Sequence, residues 1–369
     1  MSSAPTMTAA SRRGGKIAIA RRLEADRGPL EAMYREVFGA KATENSRERW
    51  RWQYEDNPNC SPEGPEIWVA KEGDRVLGQY ATMPVRLKVL DKILRASWGM
   101  DVMVGPNLQR KGIGSRLFLY WDQQVEASLG LGLSVSSYTL FRKLNWEDVG
   151  PVPCFSKVLD VRGLLKRRLG AAGAAVLAPF VSLFFWLVFP ERKTRARHTV
   201  ETRPAVEPFD DAYDALWERV APYFDFIAER KARYLEWKYR LVPHVNYDVF
   251  EAHRGGELSG YIVLRLTKRN GVPLALLVDL LAYPEDKATI GALLDQAFAW
   301  ARERGAARMQ TFTFDRRIAS RLANKGFMRL ESPMQFCVRI RSDHVDERFF
   351  RDTSRWHVTF GDSDQDREA

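Results

Sequence analysis

Cysteine is scarce in this 369-residue chain: Cys60, Cys154 and Cys337 are far apart and odd in number. That spacing excludes a disulfide framework and a zinc site built on paired Cys-x-x-Cys ligands, and it favours a reducing compartment. Histidine is nearly as sparse. His198, His244, His253, His344 and His357 are scattered without metal-ligand spacing, so no metal is expected. An apolar leader is missing as well. Residues 1–16 are rich in Ser, Ala and Thr with Arg12 and Arg13, which excludes a secretory signal and predicts an unstructured leader. No zinc finger, helix-turn-helix or basic patch interleaved with aromatics is present, so nucleic acid is not the expected partner.

What is present is charge and apolar bulk. The net charge is +10 and the hydrophobic fraction is 45%, in a chain long enough for two cores. A positive excess of this size fits an anionic membrane or acidic small molecules. Much of it sits in two clusters, Arg162/Lys166/Arg167/Arg168 and Arg192/Lys193/Arg195/Arg197. Between them runs Leu169 to Phe189, which carries no charge and one hydroxyl. About 20 such residues are enough to span a bilayer.

A second feature is Gln109-Arg110-Lys111-Gly112-Ile113-Gly114-Ser115, which follows the strand-like run Val102-Met103-Val104 and opens a helix-like segment reaching Val125. Backbone N–H groups at a helix N-terminus attract anions, and glycines let phosphate oxygens approach where a Cβ would clash. Arg110 and Lys111 add positive charge at the same mouth. The whole run from Asp101 to Leu117 resembles the acyl-CoA-binding motif of the GNAT superfamily of N-acyltransferases, whose core is Gln/Arg-x-x-Gly-x-Gly/Ala. A Rossmann site is disfavoured, because its Gly-x-Gly-x-x-Gly directly follows the first strand of a βαβ unit.

The same unit recurs. Trp50-Arg51-Trp52-Gln53-Tyr54 with Pro58 matches Leu235-Glu236-Trp237-Lys238-Tyr239 with Pro243, and each copy runs into a strand, a turn and another strand. Those strands are expected over 67–70 and 76–80, turning at Gly73-Asp74, and over 247–252 and 258–266, turning at Gly255-Gly256. Asp101 and Pro106 correspond to Asp279 and Pro284, and a helix follows in both copies, over 114–125 and 290–304. The expected architecture is α/β (α+β), with two GNAT-like mixed-sheet domains over 17–160 and 198–341. An apolar helical segment at 161–197 joins them, and a C-terminal tail follows over 342–369. The second copy lacks the paired glycines and places Glu285 and Asp286 where phosphate would sit, so it reads as degenerate. Gly361 to Asp366 resembles the start of a calcium loop without its terminal bidentate Glu, and a solvated acidic tail is expected instead.

The resemblance implies a site. Acetyl-CoA or a longer acyl-CoA would be the co-substrate, its pantetheine lying along Met103 and Val104. Its pyrophosphate would lie against Gln109, Arg110, Lys111, Gly112, Ile113, Gly114 and Ser115. Asp101 is the candidate for amine recognition or base, with a local backbone-bonding role as its alternative. The family's general-acid tyrosine aligns with Phe141, which has no proton to give, so Tyr138, one helical turn earlier, is the candidate acid. The expected acceptor is an amine-bearing small molecule or glycan precursor of the cell envelope. A non-catalytic acyl-CoA-binding or membrane-scaffolding role is the alternative. Basic flanks at both ends of the apolar run point to a re-entrant or interfacial helix on an anionic membrane surface at the cytoplasmic face. Burial between domains or in a homodimer interface, and a true membrane span, are the competing readings for that run.

Overall fold

The chain opens with two short paired strands, β1 (Thr8–Ala9) and β2 (Ile17–Arg21). The first helices are α1 (Arg27–Phe38) and α2 (Ser46–Tyr54). Gly73, at φ 60, then turns β3 (Ile67–Glu72) into β4 (Arg75–Val89), and Leu90, at φ 54, turns β4 into β5 (Lys92–Val104). The first half continues through α3 (Ile113–Asp122), β6 (Ala127–Leu131), α4 (Val135–Lys143), β7 (Glu147–Pro151), β8 (Cys154–Val158) and α5 (Val161–Val188). This is a computed structural model, and it describes residues 8–9, 17–39, 46–191, 199–341 and 345–366.

The second half repeats the plan. After β9 (Glu201–Pro204), α6 (Asp211–Val220), β10 (Phe226–Ala228) and α7 (Ala232–Leu235) come β11 (Asp248–Arg254), β12 (Glu257–Arg269) and β13 (Val272–Ala282). Asn270 and Gly271, both at positive φ, close the β12–β13 hairpin in the turn that matches strand twist. Then follow α8 (Lys287–Glu303), β14 (Arg308–Phe312), α9 (Arg316–Asn324), β15 (Met328–Leu330), β16 (Gln335–Ile340), α10 (Glu347–Arg351) and β17 (Trp356–His357). The expected strands and helices of both copies are present, each with wider or slightly shifted ends.

The strands form two mixed sheets. One runs β1-β2-β3-β4-β5-β6-β16-β7, with β10 and β17 attached beside β4, and the other runs β15-β8-β14-β13-β12-β11-β9. The two halves exchange a strand. Cys154–Val158, within 17–160, lies between β14 and β15 of the second sheet, and Gln335–Ile340, within 198–341, lies between β6 and β7 of the first. Thr8–Ala9, within the expected unstructured leader, pairs with Ile17 and Ala18; the other residues of that leader lie outside those described.

The repeat motif sits where the halves meet. Trp52 and Trp237 stack with ring centroids 4.8 Å apart, and each indole N–H donates to the other residue's backbone carbonyl at 2.7 Å. Both rings are buried in one apolar cluster that also holds Met83, Leu87, Val263 and Leu276 from the two sheets. The halves therefore share a core, and neither buries its inner face alone.

Candidate active site

The helix α3 starts at Gly112, which adopts φ 82 and caps with no side chain. Its first-turn N–H groups have no helical acceptor, so they face outward as donors. Arg110 (φ 62) and Lys111 are exposed beside them. A Cβ added at Gly112 would meet nothing within 4 Å, and one at Gly114 would meet only Leu140 Cδ2 at 3.9 Å and Val104 Cγ2 at 4.0 Å. The loop therefore leaves an open, electropositive cradle of the kind that accepts a pyrophosphate. Gln109 and Ser115 flank it, while Ile113 is buried and anchors the turn.

The strands lead into that cradle. Parallel pairing of β5 with β6 ends at Trp98–Leu129, although β5 continues to Val104. Beyond that point the β5 edge, including Met103 and Val104, no longer pairs with β6. On its other side the register with β4 slips between Gln79 and Ala81, and Asp101 takes φ 27 in the bulge. Asp101 is half-buried there and accepts a 2.6 Å hydrogen bond from the Tyr54 hydroxyl. Burial, then the Asp101 charge, pushes the Tyr54 hydroxyl well above its ordinary value, so Tyr54 keeps its proton on that carboxylate. The aromatic spacing marked Tyr54 in the sequence; its Asp101 partner was not legible there.

The structure ties Tyr138 to a neighbour. Its hydroxyl donates to Asp148 on β7 at 2.6 Å, and that bond raises its pKa. Phe141 is buried among Phe118, Trp121 and Trp146, and the residue of α4 that faces Gly114 is Leu140.

The second unit has the same opening and fills it with its own chain. Pairing of β13 with β14 ends at Leu276–Gln310. Past that point Gly361 N–H donates to Val278 at 2.8 Å, and the Phe360 ring packs 4.1 Å from that of Phe312. At the N-terminus of α8 the Asp286 carboxylate accepts from the N–H groups of Ala288 and Thr289, so the anion position is taken by a side chain. The expected solvated acidic tail is thus corrected. Asp362 and Asp366 are each 1% exposed, because Arg230 pairs with Asp362 at 2.9 Å and Tyr247 donates to Asp366. The segment then reaches the first unit, where Gln365 Nε2 donates to the Leu131 carbonyl at 3.1 Å and Asp364 pairs with Arg49 at 3.3 Å. Among the described residues no group of His, Cys, Asp and Glu side chains is arranged to hold a metal.

His357 lies in this buried segment with neither ring nitrogen bonded among the described residues. Burial, then Arg230, depresses its pKa, so it is neutral in the fold. A histidine with a folded pKa below its unfolded value of about 6.5 stabilises fully above that pH and loses the contribution as pH falls. Urea unfolding of His357→Phe is expected to show a shallower fall in stability below about pH 6.5, by up to ~1.4 kcal/mol per pH unit. An unchanged slope would assign the acid sensitivity elsewhere.

The helix α5 breaks at Gly170 (φ 75, ψ 179) and holds Pro179 in its second arm. Most of its apolar second arm is exposed, Phe180 and Trp186 each to 68%. Burial between the domains, one of the competing readings, is therefore not what the chain adopts. The excursion leaves from β8 and returns beside it, since Glu191 pairs with Lys157 of β8 at 2.8 Å. The basic residues 192–197 lie outside the described residues.

Comparison with known proteins agrees with this geometry. Residues 25–149 match the acetyltransferase (GNAT) domain, which spans α1 to β7 and includes the cradle. No curated protein matches the chain. Among solved structures, a GCN5-related N-acetyltransferase from Anabaena variabilis is 11% identical, with 88% of this chain and 73% of that one covered and a TM-score of 0.60. One from Kribbella flavida is 16% identical, covering 88% and 71%, with a TM-score of 0.54. Saccharomyces cerevisiae N-myristoyltransferase with bound myristoyl-CoA is 10% identical, covering 90% and 84%, also at 0.54. Residues 25–149 thus match the GNAT acetyltransferase domain, and the whole chain is similar in fold to these N-acyltransferase structures.

Proposed function

We propose that the first unit binds an acyl-CoA and transfers its acyl group to an amine, while the second unit shapes the cleft without binding coenzyme. The observation that carries this reading is the contrast between two helix N-termini. That of α3 is open and flanked by Arg110 and Lys111, whereas that of α8 is closed by Asp286. The unpaired edge of β5 at Met103 and Val104 gives the pantetheine amides a backbone to pair with. Asp101 holds the acceptor ammonium, which sheds one proton to solvent; the free amine then attacks the thioester carbonyl, and Asp101 takes the second proton from nitrogen as the C–N bond forms and the C–S bond breaks. Tyr138 returns a proton to the departing thiolate, and Asp148 keeps that hydroxyl protonated beforehand. The acceptor is an amine-bearing small molecule or envelope glycan precursor. The exposed apolar arm of α5 supports attachment to the cytoplasmic membrane face without crossing it, because both its ends meet the same unit.

Thiol release from acetyl-CoA and from myristoyl-CoA against a panel of amines tests the reading. Acceptor-dependent release is expected, and acyl-CoA binding without turnover would point to the non-catalytic role. Tyr138→Phe should lower kcat about 10²-fold with little change in CoA affinity. Undiminished turnover would remove Tyr138 from the mechanism.

A further inference from the structure

The excursion of α5 walls off a groove of about 520 Å³ against the second sheet. One wall comes from the first arm and from Val181 and Phe185 of the second arm; the other comes from the ends of β8, β13 and β14 and from the β12–β13 turn. The two arms behave differently along their length. On the second arm Ala174, Ala178, Val181 and Phe185 recur at helical spacing and are buried or half-buried, while Val176, Phe180, Leu183 and Leu187 are exposed. The inward stripe thus gives the groove an apolar side, completed by Leu164 and Leu165.

Its other side is cationic. Arg167, Arg168, Arg269 and Arg308 all line it, and no carboxylate does. The Arg167 guanidinium donates to the Gly271 carbonyl at 3.2 Å, which fastens the first arm to the β12–β13 turn. Arg168, Arg269 and Arg308 appear in none of the ion pairs among the described residues, although arginines elsewhere on the surface are commonly paired. Three guanidinium groups that form no ion pair among the described residues, next to an apolar slot, complement a ligand with an anionic head and a hydrocarbon chain. Guanidinium forks suit phosphate oxygens in particular.

We infer that this groove binds one anionic phospholipid, its phosphate held by Arg168, Arg269 and Arg308 and one acyl chain laid along Leu164, Val181 and Phe185. The inference rests on the reading that α5 rests on a membrane, and it adds a defined lipid site to that reading. Arg269 and Arg308 belong to the sheet, so this lipid bridges the apolar arm and the folded body. Exposed apolar residues of the second arm then point away from the bridge into the acyl region of the bilayer.

The test uses the full chain with phosphatidylcholine vesicles, with and without phosphatidylglycerol, and native mass spectrometry of protein extracted from each. The wild type is expected to bind phosphatidylglycerol vesicles more tightly and to retain one phosphatidylglycerol. Arg269→Gln with Arg308→Gln should weaken the phosphatidylglycerol-dependent part about 30-fold, roughly fivefold per charge, and abolish the retained lipid. Arg162→Gln with Lys166→Gln, which removes as much charge from outside the groove, should keep the retained lipid. Equal loss in both pairs would show diffuse surface attraction and overturn the site while leaving membrane attachment standing. Retention that inorganic phosphate displaces equally well would make it a free-phosphate site and overturn the lipid assignment. A wild type that binds neither vesicle would overturn attachment and the site together.

Discussion

Gly114→Val is expected to weaken CoA binding at least ~10²-fold, about 2.7 kcal/mol, in isothermal titration, while leaving the folded protein intact. The separation of the two effects follows from the local space. A Cβ at Gly114 meets only Leu140 and Val104 at ordinary contact distance, so the helix accepts it, and the added bulk of a branched side chain is expected to take space that the open cradle leaves for phosphate. Gly112→Val should remove binding too, with an added cost of about 1–2 kcal/mol in stability, since Gly112 sits at φ 82 where a β-branched residue is strained. Thr289→Ala, at the corresponding helix start of the second unit, should leave CoA affinity unchanged. There the Asp286 carboxylate already occupies the anion position and Thr289 Oγ1 donates to it at 2.7 Å. Equal losses at Gly114 and Thr289 would mean that both units bind coenzyme.

The cradle was legible because it is local. A strand, two glycines, two cations and a helix lie within one short stretch, and each contributes through backbone chemistry that the residue types announce. The Trp52–Trp237 pair was half legible: spacing identified both rings as equivalent, but only the fold shows that they stack on each other. The strand exchange left no local trace. Cys154–Val158 and Gln335–Ile340 are both short, mostly buried strands, and nothing in either segment specifies which of two similar sheets accepts it. The tail was misread for a related reason. Asp362, Asp364 and Asp366 look like a solvated acidic stretch until Arg230, Arg49 and Tyr247 are brought to them from over a hundred residues away. Long-range pairing of that kind sets burial, and composition alone does not report it.

Asp101 and Asp279 occupy matching bulges, and their surroundings predict opposite mutational behaviour. Asp279 is fully buried. Its carboxylate takes Arg230 at 2.9 Å, the Tyr239 hydroxyl at 3.0 Å, the Thr359 hydroxyl at 3.2 Å and its neighbour's N–H at 3.0 Å. Burial works to raise its pKa, yet Arg230 and the hydrogen bonds outweigh it and hold the carboxyl below its ordinary value. The stabilisation this gives is present above about pH 3.9 and is lost as pH falls through the lower folded value. Arg230→Met would leave Asp279 and Asp362 in the interior without their cation, so a loss of about 3–5 kcal/mol is expected in urea unfolding at neutral pH. The deficit should shrink in acid, where the stranded carboxylates take up protons, and a loss under about 1 kcal/mol would show that the cluster is not structural. Asp101, by contrast, is half-buried and accepts from the Tyr54 hydroxyl at 2.6 Å. Asp101→Asn keeps that hydrogen bond and should change stability by less than about 1 kcal/mol, while acyl transfer falls about 10²-fold or more. Equal effects on stability at the two positions would assign Asp101 the same structural role as Asp279 and leave the amine without its proposed partner.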